Sequence, residues 1–311
     1  MSIYPHTIRP ILRKALSSSL PSAPSNSKHI AVMGLPRSGT SWLAKALSLS
    51  QGVTYYFEPD HELDASYRYK YLTADDQDEF LVKFIADAFR GKINTHYSMA
   101  EMSWSDILLR PARKTVLVKF VKIPLALQWL HANFPEIELI QIIRHPIPLF
   151  LSWQQRHWDP EYALRSLTSQ ERLMDGPLAP MRNLMEKNGD FWSNAATFWS
   201  AVTKIQTQTQ PHNWFLSEHE WFCADAYARI KALAEKFGLQ ATPAMQEFLT
   251  RQTKPGPGYG KPRDSKREID KWQGKIDTAT ECRIREIMES FELPFYPELD
   301  PWKTQGLNLD T

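Results

Sequence analysis

Residues 29–50 read HIAVMGLPRSGTSWLAKALSLS, and no other stretch limits the fold as tightly. An apolar run, Ile30 to Met33, ends in Gly34-Leu35-Pro36-Arg37-Ser38-Gly39-Thr40-Ser41, after which Trp42, Leu43, Ala46 and Leu47 recur at helical spacing. Strand, glycine-bearing turn and helix, in that order, make the phosphate cradle of a parallel α/β sheet. Backbone N–H groups of the turn converge, and the helix N-terminus adds unpaired donors and the positive end of its dipole. Gly34 and Gly39 are five apart, as in the Walker A loop G-x-x-x-x-G-K-[ST], but Thr40 stands at the Lys position and the cation has moved back to Arg37. A nucleoside triphosphate loop keeps that Lys on the β- and γ-phosphates, so this loop suits a different anion.

Strands and helices alternate along the rest of the chain. VTYYF (Val53–Phe57) reads as a second strand ending at Glu58-Pro59, where Pro59 turns Glu58 away from helix and leaves its carboxylate at the strand's C-terminal edge. Open parallel sheets bind their ligands on that edge. Residues 75–90 carry Leu81, Phe84, Ile85 and Ala88 on one face, predicting an amphipathic helix stopped by Gly91. TVLVKFV at 115–121 is the next strand, a helix follows over 125–132, and the continuous apolar run at 137–143 predicts a buried central strand. That strand ends in Arg144-His145-Pro146, where a nucleoside triphosphatase would place a Mg²⁺-binding Asp, and a helix is predicted through Ser152 to about 157. The stretch 158–210 is helical and rich in Trp and Phe, which are either core or the wall of an acceptor pocket. A final strand at 213–217 leads to His219-Glu220. Helices are predicted over 223–237 (closed by Gly238), from the Thr242-Pro243 cap, and over 278–291. The pattern predicts an α/β fold of the P-loop NTPase-like, three-layer kind, a central parallel sheet flanked by helices, over 29–295. A poorly ordered leader (1–28) and a tail (296–311) flank it.

The charge balance, 37 Lys+Arg against 35 Asp+Glu, gives no case for nucleic acid, but no Asp or Glu precedes Glu58, a local positive bias suited to an anionic ligand or a solvated basic surface. Two cysteines, Cys223 and Cys282, make no disulfide framework, so a reducing, cytoplasmic setting is expected. No apolar run reaches transmembrane length. The leader is basic and acid-free, with Ile8, Ile11, Leu12 and Leu16 around Arg9, Arg13 and Lys14, which leaves a transit peptide or one short helix in weak membrane-surface contact as alternatives to a poorly ordered segment.

Pro36 through Trp42 resembles the 5′-phosphosulfate loop of sulfotransferases that use 3′-phosphoadenosine 5′-phosphosulfate (PAPS). The resemblance implies that Arg37, Ser38, Gly39, Thr40 and Ser41 hold the 5′-phosphosulfate. Trp42 matches a Trp that stacks on adenine, or is a core helix residue. Family members hold the 3′-phosphate with an Arg at a central strand end and a Ser eight residues on, here Arg144 and Ser152. Arg156, one further turn along, matches a third phosphate contact of tyrosylprotein-type members, or is a solvated helix charge. Glu58 falls where those members carry their catalytic base, with His61 and Glu62 as neighbours able to substitute. Lys122, in Lys122-Ile123-Pro124, matches their Lys-x-Pro and implies a cation on the bridging oxygen; Lys119 is the weaker candidate, because strand alternation points it to another face. His219 either meets the nucleotide or is a satisfied core histidine. Residues 269–276 resemble the C-terminal Lys-Trp-x-Gly-Lys-Ile of the same members, placing Lys271 near the phosphates and the loop at 258–265 over the nucleotide.

The resemblance thus implies sulfuryl transfer from PAPS, with 3′-phosphoadenosine 5′-phosphate (PAP) as product and no metal, to a hydroxyl of a small-molecule, carbohydrate or peptidyl acceptor. Two other readings share the loop: a P-loop nucleotide kinase or NTPase, and a non-catalytic module that binds a phosphorylated nucleotide.

Overall fold

The computed structural model describes residues 24, 26–95, 97–187, 189–208, 213–250 and 265–304. The predicted leader helix, nearly all of the 258–265 loop and the end of the tail lie outside these residues.

Five strands, β1 (Lys28–Met33), β2 (Val53–Phe57), β3 (Thr115–Phe120), β4 (Glu138–Ile143) and β5 (Trp214–Glu218), form one sheet in the order β2-β3-β1-β4-β5. Every pairing is parallel. All five strands therefore end on one edge, which gathers the loop after β1, Glu58, Lys122, Arg144 and His219. This is the predicted α/β, P-loop NTPase-like arrangement, with helices on both faces.

Period-two alternation assigns the faces. Ile30, Val32, Leu117, Ile140 and Ile142 pack against Leu43 and Leu47 of α1 (Thr40–Ser48) and against Ile230 and Leu233 of the helix Ala226–Lys236. Ala31, Met33, Val116 and Val118 face Leu81 and Ile85 of Glu79–Phe89 and Leu127 and Leu130 of Leu127–Asn133. Burying one such Leu contributes roughly 2 kcal/mol. A third cluster joins α2 (Pro146–Gln154), Pro160–Thr168, α3 (Phe191–Thr207) and the helix Thr278–Ser290. Much of the aromatic stripe belongs to it. Phe198 and Trp199 are buried, whereas Trp158, Phe191 and Trp192 are half-buried.

Several elements differ from the sequence reading, among them the helix predicted over 75–90, which starts at Glu79 on the Asp78 cap. The helix carrying Ser152 ends at Gln154 rather than near 157, because His157 takes a left-handed φ of 52° and Asp159-Pro160 starts the next helix. The predicted helix over 223–237 is instead α4 (His219–Ala224) and Ala226–Lys236, broken at Asp225, whose carboxylate caps the second. A short helix, Trp104–Leu109, went unread although Ser103 and Asp106 form a capping box at its start.

Candidate active site at the C-terminal sheet edge

The loop between β1 and α1 is held by close backbone contacts that explain its glycines. A Cβ on Gly34 would lie 2.6 Å from the Ile142 carbonyl and from Ser38 Oγ. Gly39 has φ +97°, and a Cβ there would lie 2.3 Å from His219 Nδ1. Arg37 itself sits at φ 75°, a left-handed conformation that an L-residue adopts at a cost of roughly 1–2 kcal/mol.

Asp78, Asp159, Asp190, Asp225 and Asp277 cap their helices with a carboxylate. α1 differs: it starts on Gly39 with no side-chain cap and no acid in its first turn. Its positive end thus faces the loop uncompensated.

β4 delivers Arg144 beside this loop, because Ile30–Met33 pair directly with Glu138–Gln141. Arg144 Nη1 donates to the Arg37 carbonyl at 2.8 Å. Arg37 Nε donates to Ser152 Oγ at 3.0 Å. Trp153, next on α2, donates from its indole to the Pro36 carbonyl at 2.9 Å, and Trp199 of α3 donates to the Arg144 carbonyl at 3.2 Å. Arg37, Ser152 and Arg144 are therefore brought together at one junction of loop, strand end and helix. Two polar atoms there, Ser38 Oγ and Arg144 Nε, are buried with no hydrogen-bond partner. A buried donor left without a partner typically costs about 1–3 kcal/mol, so each of these two atoms suits an anionic acceptor.

Behind Arg144 lies Glu220, fully buried, which accepts from the Tyr296 hydroxyl at 2.5 Å and from the His145 N–H at 3.3 Å. Burial raises its carboxyl above the usual range, and the Arg144 guanidinium opposes the shift. His145 is driven down to about 3 by burial, so it is neutral and packs as a ring, stacked on Trp272 at 4.6 Å.

Trp42 and His219 meet edge to face at 5.5 Å above Gly39, and His219 Nε2 lies 3.3 Å from Cys223 Sγ. Thr40 is buried at the start of α1, and Ser41 and Trp42 are half-buried beside it. Arg156 lies past the end of α2 on an exposed turn, not on its face as predicted. Lys271 is exposed and ion-paired with Glu268. Its neighbour Trp272 covers His145, so this segment lies across the end of β4.

At the other end of the edge, Glu58 has a left-handed φ of 43° and caps the 3₁₀ turn Pro59–Glu62. That turn drops its carboxylate onto Lys119 Nζ, an ion pair with Lys119 almost wholly buried. The second carboxylate oxygen accepts from Tyr97 at 2.9 Å. Alternation along β3 had pointed Lys119 away from the site; the left-handed turn at Glu58 brings the carboxylate round to it. Lys122, expected on a bridging oxygen, donates from Nζ to the carbonyls of His61 at 2.9 Å and Leu63 at 3.1 Å. Burial, then Arg68, lowers its ammonium below the usual lysine range.

Asp60 went unnoticed in the sequence. It is fully buried, and Oδ2 accepts from the backbone N–H groups of Val121 at 2.7 Å and Lys122 at 2.6 Å. It thereby fixes the turn after β3 against the turn after β2. The only sequence signal is an Asp directly after the turn proline. Burial pushes its carboxyl from 3.8 up to about 6. A folded value above the unfolded one means that Asp60 stabilises the fold most below its ordinary range and that this contribution is lost as pH rises through about 6. Moving a carboxyl from 3.8 to about 6 corresponds to about 3 kcal/mol when integrated over the whole range. Between pH 4 and 7.5, urea unfolding of wild type should therefore lose about 2 kcal/mol more than that of Asp60→Asn. Parallel pH profiles for the two proteins would contradict the assignment.

Among the described residues, no group of three His, Cys, Asp or Glu side chains is placed to hold a metal ion, and no helix is long and apolar enough to cross a membrane.

No protein-family model and no curated protein matches the sequence. Solved structures do resemble it. A sulfotransferase domain from the Synechococcus PCC 7002 olefin synthase is 15% identical, with a TM-score of 0.49 over 89% of this chain and 100% of that one. One from the curacin biosynthetic pathway is 13% identical, at 0.46 over 86% and 98%. A mouse sulfotransferase complexed with PAP is 12% identical, at 0.46 over 91% of each chain. Likeness this slight carries no chemistry across.

Proposed function

We propose that this chain is a sulfotransferase that moves the sulfuryl group of PAPS to an acceptor hydroxyl. The observation that carries the reading is the junction of Arg37, Ser152 and Arg144 beside an uncapped helix start, with Ser38 Oγ and Arg144 Nε buried and unpartnered. Two guanidiniums on adjacent strand ends suit a ligand with two separate anionic groups, and the planar Arg fork matches phosphate oxygens.

PAPS, when bound, supplies an activated sulfuryl on a phosphate leaving group. Arg37 with the 38–41 backbone would hold the 5′ end and neutralise charge as it develops there. Arg144 and Ser152 would hold the 3′-phosphate, while Trp42 and His219 flank the adenine. Glu58 would take the acceptor proton. Lys122 spends two of its three N–H donors on the His61 and Leu63 carbonyls and would offer the third to the bridging oxygen. Lys271 would lie near the phosphates, on the segment whose Trp272 covers His145.

The test is transfer of label from ³⁵S-PAPS to 4-nitrophenol, a glucosamine oligosaccharide or an acidic tyrosine peptide, with water as the default acceptor. Label should move to at least one of these or appear as sulfate above the enzyme-free rate. Binding of Mg·ATP without binding of PAP would instead favour a nucleotide kinase.

A further inference from the structure

Glu58 is held in an arrangement that its role as base does not by itself require. Lys119 is paired in register with Phe57, one residue before Glu58, and its Nζ lies 4.8 Å over the Phe57 ring. From there the ammonium bonds Glu58 Oε1. Its side chain is 2% exposed, against 13% for Glu58. The other oxygen, Oε2, turns outward to Tyr97, whose ring packs against His61 at 4.2 Å and Phe57 at 5.4 Å. Tyr97 is itself 37% exposed, so its hydroxyl marks where an acceptor hydroxyl arriving from solvent would stand.

We propose that Lys119 is the positioning residue for Glu58, fixing Oε1 so that Oε2 alone meets the acceptor. This rests on the transferase reading above. In the step, Oε2 takes the acceptor proton while the acceptor oxygen bonds to sulfur. The bond from sulfur to the bridging oxygen breaks, and its electron pair leaves with PAP. Lys119 keeps its proton throughout and touches no reacting atom. The charged groups facing it are Glu58 at the end of β2, Asp60 in the following turn and Arg37 in the loop after β1. Burial and Arg37 disfavour its charge, and the two carboxylates sustain it. A glutamate has three side-chain torsions, and a catalytic group about 1 Å out of place loses roughly 10²-fold in rate.

A double-mutant cycle tests this with ³⁵S-PAPS and the acceptors named above, at saturating donor. Lys119→Met should lower kcat roughly 10–100-fold, with KM for PAPS and Kd for PAP within about threefold of wild type. Lys119→Arg should recover part of the loss. In a Glu58→Gln background, Lys119→Met should cost less than about threefold more, since the base it orients is gone. That last comparison stands even if the single Lys119→Met chain fails to fold, because the double variant leaves no unpaired glutamate. An equal loss in both backgrounds, or a change confined to KM, would overturn the inference while leaving the transferase reading intact. A wild-type protein that binds PAP but moves no label to any acceptor or to water would overturn both.

Discussion

Arg37→Ala is expected to reduce sulfuryl transfer at least ~10³-fold, at or beyond the upper end of what one removed charge-stabilising donor usually costs. The effect is expected to be large because the guanidinium does two things at once. Its Nε positions the Ser152 hydroxyl, and its charge lies beside the uncapped start of α1. The backbone need not move with it. Arg144 donates to the carbonyl of Arg37, which alanine retains, and any L-residue at φ 75° bears the same Cβ strain. The fold should therefore persist, with Tm changed by only a few degrees, and the loss should appear in kcat and in nucleotide affinity. Arg37→Lys keeps the charge without the fork and should fall between the two. Label transfer by Arg37→Ala above a tenth of the wild-type rate would remove Arg37 from the chemistry.

Glu58→Gln is expected to lower kcat by about 10²–10⁴-fold, the range for losing a positioned general base, while Kd for PAP changes less than about threefold. Glutamine keeps the length of the side chain, and its carbonyl can still accept from Lys119. What it loses is the capacity to take a proton at the oxygen facing Tyr97. It also leaves a buried ammonium with Asp60 as its nearest remaining anion, so a stability loss of about 1–3 kcal/mol should accompany the kinetic effect. The two readouts separate cleanly. Rates measured on folded protein report the base, and urea unfolding reports the ion pair. Full activity in Glu58→Gln would assign the proton transfer elsewhere.

The two halves of this edge differed in how far sequence could reach. Its β1–β4 side was legible because each feature there is local. Gly34 and Gly39 bracket a loop between an apolar run and a helical period, Arg144 terminates a continuous buried strand, and Ser152 lies two helical turns further on. The β2–β3 side depends on tertiary geometry instead. Alternation correctly puts Lys119 and Phe120 on opposite faces of β3, yet the left-handed φ of Glu58 carries the carboxylate to Lys119. Nothing in the composition of Glu58-Pro59-Asp60 announces that conformation. The same turn buries Asp60 beneath the N–H groups of Val121 and Lys122 and presents carbonyls to the Lys122 ammonium. Arg156 falls past the end of the helix because Asp159-Pro160 is a helix start and the chain needs room to turn before it, a signal that is itself local in sequence.

Two anion subsites, one at each end of a single adenosine bisphosphate, are the centre of the account, and calorimetry with PAP and with 5′-AMP tests them most directly. In the proposed reading the 3′-phosphate would add charge-assisted bonds to Arg144 and Ser152, each worth roughly 1.5–3 kcal/mol, so PAP should bind at least ~100-fold more tightly than AMP. Arg144→Ala should erase most of that difference. Equal affinities for the two nucleotides in the wild-type protein would contradict the assignment of Arg144 and Ser152, and with it the sulfotransferase reading.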